Sequence, residues 1–214
     1  MKDYSNFHDL NTNERIIRNA NKLVDISLNA YGSTEVVVNQ TTTTRVLFSE
    51  KRDAEQNEKK VMGKPEHIQI GNYLNDGEFD WMITSFPERN EAYHKAEITV
   101  CNTTMKIVVG QVKTLVGRDS FGKPIYKYID EEEVYPVVYT SKGYNIIDNS
   151  AISLPDDYID VLIQYQPILL EKLEINNEYK FFNGTFKLTS IEHENVINEK
   201  GYLSLRMERQ VTVT

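Results

Sequence analysis

Two stretches of this chain can be laid over one another without a gap. Residues 68–102 and 173–207 lie 105 positions apart and share Ile70/Ile175, Asn72/Asn177, Thr84/Thr189, Ser85/Ser190, Asn90/Asn195 and Lys95/Lys200. The apolar positions also keep step: Trp81 meets Phe186, Ile83 meets Leu188, Ile98 meets Leu203 and Val100 meets Leu205. Internal self-similarity limits the architectures available, because each copy must then fold in the same way. The turn dipeptides Asp76-Gly77 and Asn183-Gly184 fall out of step in this overlay. The competing explanation is that any two barrel segments share alternation and turn residues.

The repeated text reads as β. Val36 to Val38, Arg45 to Phe48, His67 to Ile70, Trp81 to Phe86 and Lys95 to Val100 are short alternating or β-branched runs. Asp76-Gly77 is a tight hairpin signal and Pro87 stops a strand. Lys106 to Val116 and Ile125 to Tyr139 flank a polar tip and predict a long hairpin. Tyr158 to Tyr165, Leu173 to Ile175, Tyr179 to Phe182, Phe186 to Ile191 and Tyr202 to Met207 continue the series. Short strands at this density predict barrels or sandwiches. Four threonines, Thr41 to Thr44, fit either a strand or a hairpin loop. Ser49 to Pro65, with its charged run from Glu50 to Lys60, predicts a long loop or, over part of it, a short charged helix.

One helix precedes the strands. Asn11-Thr12-Asn13-Glu14 has the spacing of a capping box. Ile16, Ile17, Ala20, Leu23, Val24 and Leu28 then recur at three- and four-residue intervals, with Gly32 offering a left-handed cap. The expected fold is therefore mainly β: an N-terminal arm and helix (1–32), a first β-barrel module (33–105), a connecting hairpin (106–138) and a second module (139–214).

Charge and cysteine content exclude some classes. With 24 Lys and Arg against 32 Asp and Glu, the net charge is −8. So acidic a chain does not suit duplex wrapping by phosphate neutralisation. No run approaches the roughly 18 apolar residues of a membrane span, and Met1 to Leu10 lacks a signal core. The single cysteine, Cys101, permits no intrachain disulfide and fits a reducing compartment. His8, His67, His94 and His193 show no metal-ligand spacing. Asp156-Asp157 and Asp130 to Glu133 read as solvated charge, since acid–base work needs carboxylates in unlike environments. Neither a nucleophile elbow nor a phosphate-binding glycine loop occurs. No enzyme and no cofactor are expected, and Trp81 reads as a core anchor.

The segment from Trp81 through Thr84, Pro87, Asn90-Glu91-Ala92-Tyr93-His94-Lys95-Ala96 and Cys101-Asn102 resembles the head–tail connectors of tailed phages of Gram-positive bacteria, of the stopper or head-completion type. Ile152 to Asp157, Val161 to Gln164, Leu173 to Asn176 and Leu203 to Glu208 resemble that family's later strands. The resemblance implies a structural virion protein that forms a ring of six or twelve copies at the neck. It would lie below the portal or its adaptor and above the tail tube or a tail-completion protein, with packaged double-stranded DNA in its channel. Assembly would take place in the host cytoplasm, without a membrane. An acidic lumen would let DNA slide without sticking. Lys51, Arg52, Lys59, Lys60 and Lys64 become candidates for a channel-gating loop. Ile16, Leu23, Val211 and Val213 become candidates for subunit contacts, the last two by strand addition. The alternatives are a tail-completion or terminator ring, or a sugar- or peptide-binding module with Tyr126, Tyr128, Tyr135, Tyr139 and Tyr144 in its cleft.

Overall fold

The computed structural model describes residues 11–51, 57–141, 158–182 and 184–210. The chain divides into two compact units, residues 1–100 and 101–214.

The first unit opens with α1 (Thr12–Leu28), then β1 (Thr34–Val38), β2 (Thr42–Glu50), β3 (Glu58–Gly63), β4 (Tyr73–Asn75), β5 (Asp80–Ile83), β6 (Glu88–Arg89) and β7 (His94–Val100). Its strands run β3-β2-β1-β4-β5-β7-β6, and pairing of β3 with β7 closes a six-stranded barrel. Val36, Val38, Val46, Val61, Leu74, Trp81, Ile83, Ala96 and Ile98 fill it. The capping box forms as expected: Glu14 N–H donates to Asn11 Oδ1 at 2.9 Å, and Asn11 N–H donates to Glu14 Oε2 at 3.2 Å. The helix ends at Leu28 with Asn29 as its cap, not at Gly32, because the Asn29 backbone N–H and side-chain amide both donate to the Asp25 carbonyl.

Two sequence expectations fail here for local reasons. The charged 49–65 stretch is not one loop, since Glu58–Gly63 is strand β3 in the barrel wall. It reads as polar because only Val61 is an apolar residue facing inward. At the matching position Lys59 lays its stem inward, its ammonium 4.6 Å from the Trp81 ring centroid and 5.9 Å from that of Phe48. Second, His67 to Ile70 forms turns and no strand. His67 and Ile68 amides both donate to the Lys64 carbonyl, yet Ile68 and Ile70 still reach the interior. Of the threonines, Thr42 to Thr44 belong to β2, while Thr41 lies in the turn made by Asn39 and Gln40 at positive φ.

The second unit contains β8 (Thr103–Arg118), β9 (Pro124–Ser141), β10 (Tyr158–Gln164), α2 (Pro167–Lys172), β11 (Glu178–Phe181), β12 (Gly184–Glu192), β13 (Val196–Ile197) and β14 (Lys200–Arg209). The order is β11-β12-β14-β10-β9-β8, with β13 paired to β14. Leu173 to Ile175, expected as a strand, is the end and exit of α2, whose Leu169 is fully buried.

The two units repeat each other strand for strand. In order around each sheet, β1, β2, β3, β7, β5 and β4 correspond to β8, β9, β10, β14, β12 and β11. Tyr73 lies opposite Met82 and Glu178 opposite Lys187, both 105 residues on, so these hairpins are in register although their turn dipeptides are not. Gly71 N–H donates to Ile83 O and Ile83 N–H to Asn72 O; Asn176 N–H donates to Leu188 O and Leu188 N–H to Asn177 O. Gly71 has φ 82° and Asn176 φ 79°. The gapless overlay breaks only at the last strand. Ile83 faces Ile98 and Leu188 faces Met207, so the true partner of Ile98 is Met207, 109 residues on, and not Leu203.

The same registers identify the predicted connecting hairpin. Val61 lies opposite Phe48 and Val161 opposite Tyr139; Val46 lies opposite Thr34 and Val137 opposite Thr103. Thus β8–β9 is the counterpart of β1–β2. Met105, Ile107, Tyr135 and Val137 at its base belong to the second core. Residues 106–138 therefore do not link two modules. They are a hairpin of the second one, extended far beyond its core.

Candidate assembly surface

The extension begins where β8 and β9 leave the core at Ile107 and Glu133. From Val108 to Arg118 the ribbon continues for eleven residues, about 36 Å at ~3.3 Å per residue. Alternation keeps these residues β, and two bulges, between Val108 and Gly110 and between Leu115 and Gly117, add twist. Opposed residues share a face. One face carries Val112 with Ile129, then Thr114 with Lys127. The other carries Gln111 with Asp130, Lys113 with Tyr128 and Leu115 with Tyr126.

On the second face the polar groups pair across the strands. Gln111 donates to Asp130 at 2.8 Å, Lys106 sits 3.6 Å from Glu132, and Lys113 Nζ lies 4.1 Å from the Tyr126 ring centroid. At the inner end of the arm the Tyr135 hydroxyl donates to the Glu133 carboxylate. Burial, together with that neighbouring negative charge, pushes the Tyr135 phenol up to about 12.

The tip is ordered by its own chemistry. The Asp119 carboxylate accepts the Phe121 and Lys123 amides at 2.9 and 2.8 Å, and Gly122 takes a positive φ of 81°. This turn holds Phe121 out at 89% exposure. Along the ribbon Val112, Leu115, Val116, Ile125, Tyr126, Tyr128 and Ile129 are also exposed. A two-stranded ribbon without a core is marginal in water. Apolar side chains on it contribute roughly 1.5–3 kcal/mol each only when something covers them. Such an arm suits docking, and sequence inspection passed over it by treating it as a linker. The signal available was its length relative to β1–β2.

The predicted gating residues do not form a loop. Lys51 bridges Glu58 at 2.8 Å and Glu97 at 3.0 Å, and those two hydrogen bonds raise its pKa. Lys59 and Lys60 belong to β3, and Lys64 pairs with Asp25 of α1 at 3.2 Å. Arg52 lies outside the described residues. Lys59 and Lys60 thus lie in the barrel wall, while Lys51 and Lys64, just beyond the ends of β2 and β3, are held by ion pairs. Ile16 and Leu23 are exposed on α1, at 61% and 65%, while Ile17, Ala20 and Val24 of the same stripe are half-buried and Leu28 is buried. Val211 and Val213 lie outside the described residues. The tyrosine cleft does not assemble either. Tyr135 is buried, Tyr139 packs on Phe181 and Phe186, Tyr126 and Tyr128 occupy the opposite face of the arm, and Tyr144 is outside the described residues. Among the described residues no group of three or more His, Cys, Asp or Glu could hold a metal ion, and no helix is long and apolar enough to cross a membrane.

The division into two units has a counterpart among known families: residues 6–100 match the YomX N-terminal domain and residues 103–208 the YomX C-terminal domain. The SPbeta prophage-derived protein YomX of Bacillus subtilis (strain 168) is 26% identical over 214 residues, spanning 99% of this chain and 98% of that one. Its similarity is thus to a phage-derived protein along its whole length. Among solved structures, a K. pneumonia MrkH–c-di-GMP complex aligns over 91% of this chain and 85% of that one. Its identity is 8% and its TM-score 0.20, too low to bear on fold or ligand.

Proposed function

We propose that this chain, which belongs to the YomX family through both of its domains, is a structural protein of a phage particle that assembles through its β8–β9 arm. The arm carries the proposal: an ordered, two-stranded projection with exposed apolar side chains that runs beyond the core of the second sheet. Within the particle, the reading is a ring-forming head–tail connector of the stopper type. It closes the portal channel after packaging and offers the surface to which the tail binds. What supports this position is the resemblance carried by Trp81 to Asn102, together with the prophage relative. The work is mechanical, through shape and docking, without a cofactor.

The test is deletion of the gene from an inducible phage, with electron microscopy of the products and mass spectrometry of purified wild-type particles. Tailless heads that have lost their packaged DNA, and the protein present at the neck of wild-type particles, are expected. Particles that lack the protein and keep their tails would overturn the virion reading. Overlong tails on normal heads would favour a tail-terminator ring instead.

A further inference from the structure

We infer that the β8–β9 arm docks antiparallel against the same arm of a second copy, the basic outer half of each against the acidic inner half of the other. This rests on the proposal above only in taking the arm as an assembly element.

The arm is electrically polar along its length. Its outer half, Val112 to Ile129, holds Lys113, Arg118, Lys123 and Lys127 against Asp119 alone, a net charge of 4 − 1 = +3. Asp119 is already engaged by backbone amides of the tip. Its inner half, Lys106 to Gln111 with Asp130 to Val134, holds Asp130, Glu131, Glu132 and Glu133 against Lys106, a net charge of 1 − 4 = −3. Parallel docking of two arms would set like against like. Antiparallel docking pairs both halves, and the contact is then two-fold symmetric.

The centre fits the same arrangement. The boundary between the two halves is the opposed pair Val112 and Ile129, each 50% exposed. Antiparallel arms would bring these apolar side chains together on the two-fold axis, flanked by the charged halves, an apolar centre inside a polar rim. A duplex is a poorer occupant, because phosphates drawn to the outer half would meet four carboxylates beside it. The chain as a whole carries −8, so the outer half of the arm is a basic exception with acidic surface of its own kind to meet. A two-fold contact joins copies in pairs, so a ring made this way needs a separate head-to-tail contact and an even number of copies.

The experiment is a charge-reversal mixture. One variant carries Lys123→Glu and Lys127→Glu, making the whole arm acidic; the other carries Glu131→Lys and Glu132→Lys, making it basic. Only the exposed Lys106–Glu132 pair is lost within the arm. Each full-length protein is first shown to be folded by circular dichroism, then studied by sedimentation velocity over a concentration series at low salt. Wild type is expected to self-associate, each variant alone about tenfold more weakly or worse, and the equimolar mixture to regain association. A monomeric wild type, variants that associate like wild type, or a mixture that stays dissociated would each overturn the inference. So would loss of binding to a labelled DNA duplex in the acidic variant with no change in association. Recovery in the mixture by a protein absent from particles would leave arm pairing standing and remove the virion reading. Presence in particles with a failed mixture would do the reverse.

Discussion

The two units share connectivity and core positions, yet they differ in three places. In the first, β1 pairs with β4 and the barrel closes; in the second, the ladder path ends at β8 and β11. In the first, the turn before β4 is made by Gly71; in the second, Asn176 holds the same positive φ. In the first, the β1–β2 hairpin turns at once through Asn39 and Gln40; in the second, its counterpart runs on as the arm. The aromatic pair is kept through all of this. Phe48 meets Trp81 at 6.1 Å between ring centroids and Tyr139 meets Phe186 at 6.4 Å. The core thus tolerates changes of residue while its positions stay fixed, and novelty collects at a hairpin end where no packing opposes it.

The strongest way to break this equivalence is in the cores. Ile83 and Leu188 are both fully buried and make the same backbone contacts. Ile83→Ala and Leu188→Ala should each destabilise by about 3 kcal/mol in urea unfolding. A loss under about 1 kcal/mol at either site would show that the position is not part of a common core.

The turn sharpens the comparison at smaller scale. Gly71→Ala puts a side chain into a left-handed conformation, at a cost of about 1–2 kcal/mol. Asn176→Gly should stabilise slightly, by at most about 1 kcal/mol, since asparagine tolerates this conformation less well than glycine. No loss on Gly71→Ala, or a clear loss on Asn176→Gly, would sink the claim that these turns are counterparts.

Much of this was legible in the sequence because its signals were local. The capping box, the Asp76-Gly77 hairpin, the paired long strands and the 105-residue repeat each rest on residues near one another in the chain or on simple alternation. What escaped was set by tertiary context. Strand β3 is masked because Lys59 stands where an apolar residue is expected and is accepted by the Trp81 and Phe48 rings. Ile68 is delivered to the core by a turn and Leu173 by the end of α2, so periodicity could not identify their conformation. The slip at Ile98 is invisible to a gapless overlay because a shift of four residues keeps every side chain on its own face. The arm was seen as a hairpin but given the wrong role, since a sequence does not show where a core stops.

The units should also fail at opposite ends of the pH scale. Burial opposes it, but hydrogen bonds from the Phe79 and Glu78 amides and the Trp81 indole hold the Asp76 carboxyl below its ordinary value. A lowered folded pKa gives the first unit stability that is present above the usual carboxyl range and lost as acid protonates Asp76. In the second unit, burial raises Tyr179 and Tyr202, and burial with Glu133 raises Tyr135 to about 12. A raised phenol makes the folded state hold its proton more tightly, so that stability is full below about pH 10 and lost as pH climbs toward 12. Urea midpoints followed by Trp81 fluorescence for the first unit, and by tyrosine ionisation for the second, should decline at opposite ends. Tyr135→Phe should flatten the alkaline decline, and an unchanged slope would show that Tyr135 does not cause it.

The smallest effect expected is also the sharpest comparison. If β8–β9 is β1–β2 with an extension, the extension can be exchanged for the short turn. Replacing Val108 to Glu132 by Asn-Gln-Thr, the residues that join Val38 to Thr42, connects Ile107 to Glu133 at the equivalent register. The second core loses nothing, because its last members on these strands are Ile107 and Tyr135. The backbone hydrogen bonds removed are solvent-exposed, and a two-stranded ribbon of that kind adds little net stability. Shortening the excursion lowers the entropy of closing the chain, by about 1–2 kcal/mol on logarithmic scaling, which offsets what little is lost. The unfolding free energy should therefore move by less than about 1 kcal/mol while self-association disappears. A second unit that unfolds on this exchange would mean that the arm is part of its fold, and the equivalence of the two hairpins would fall with it.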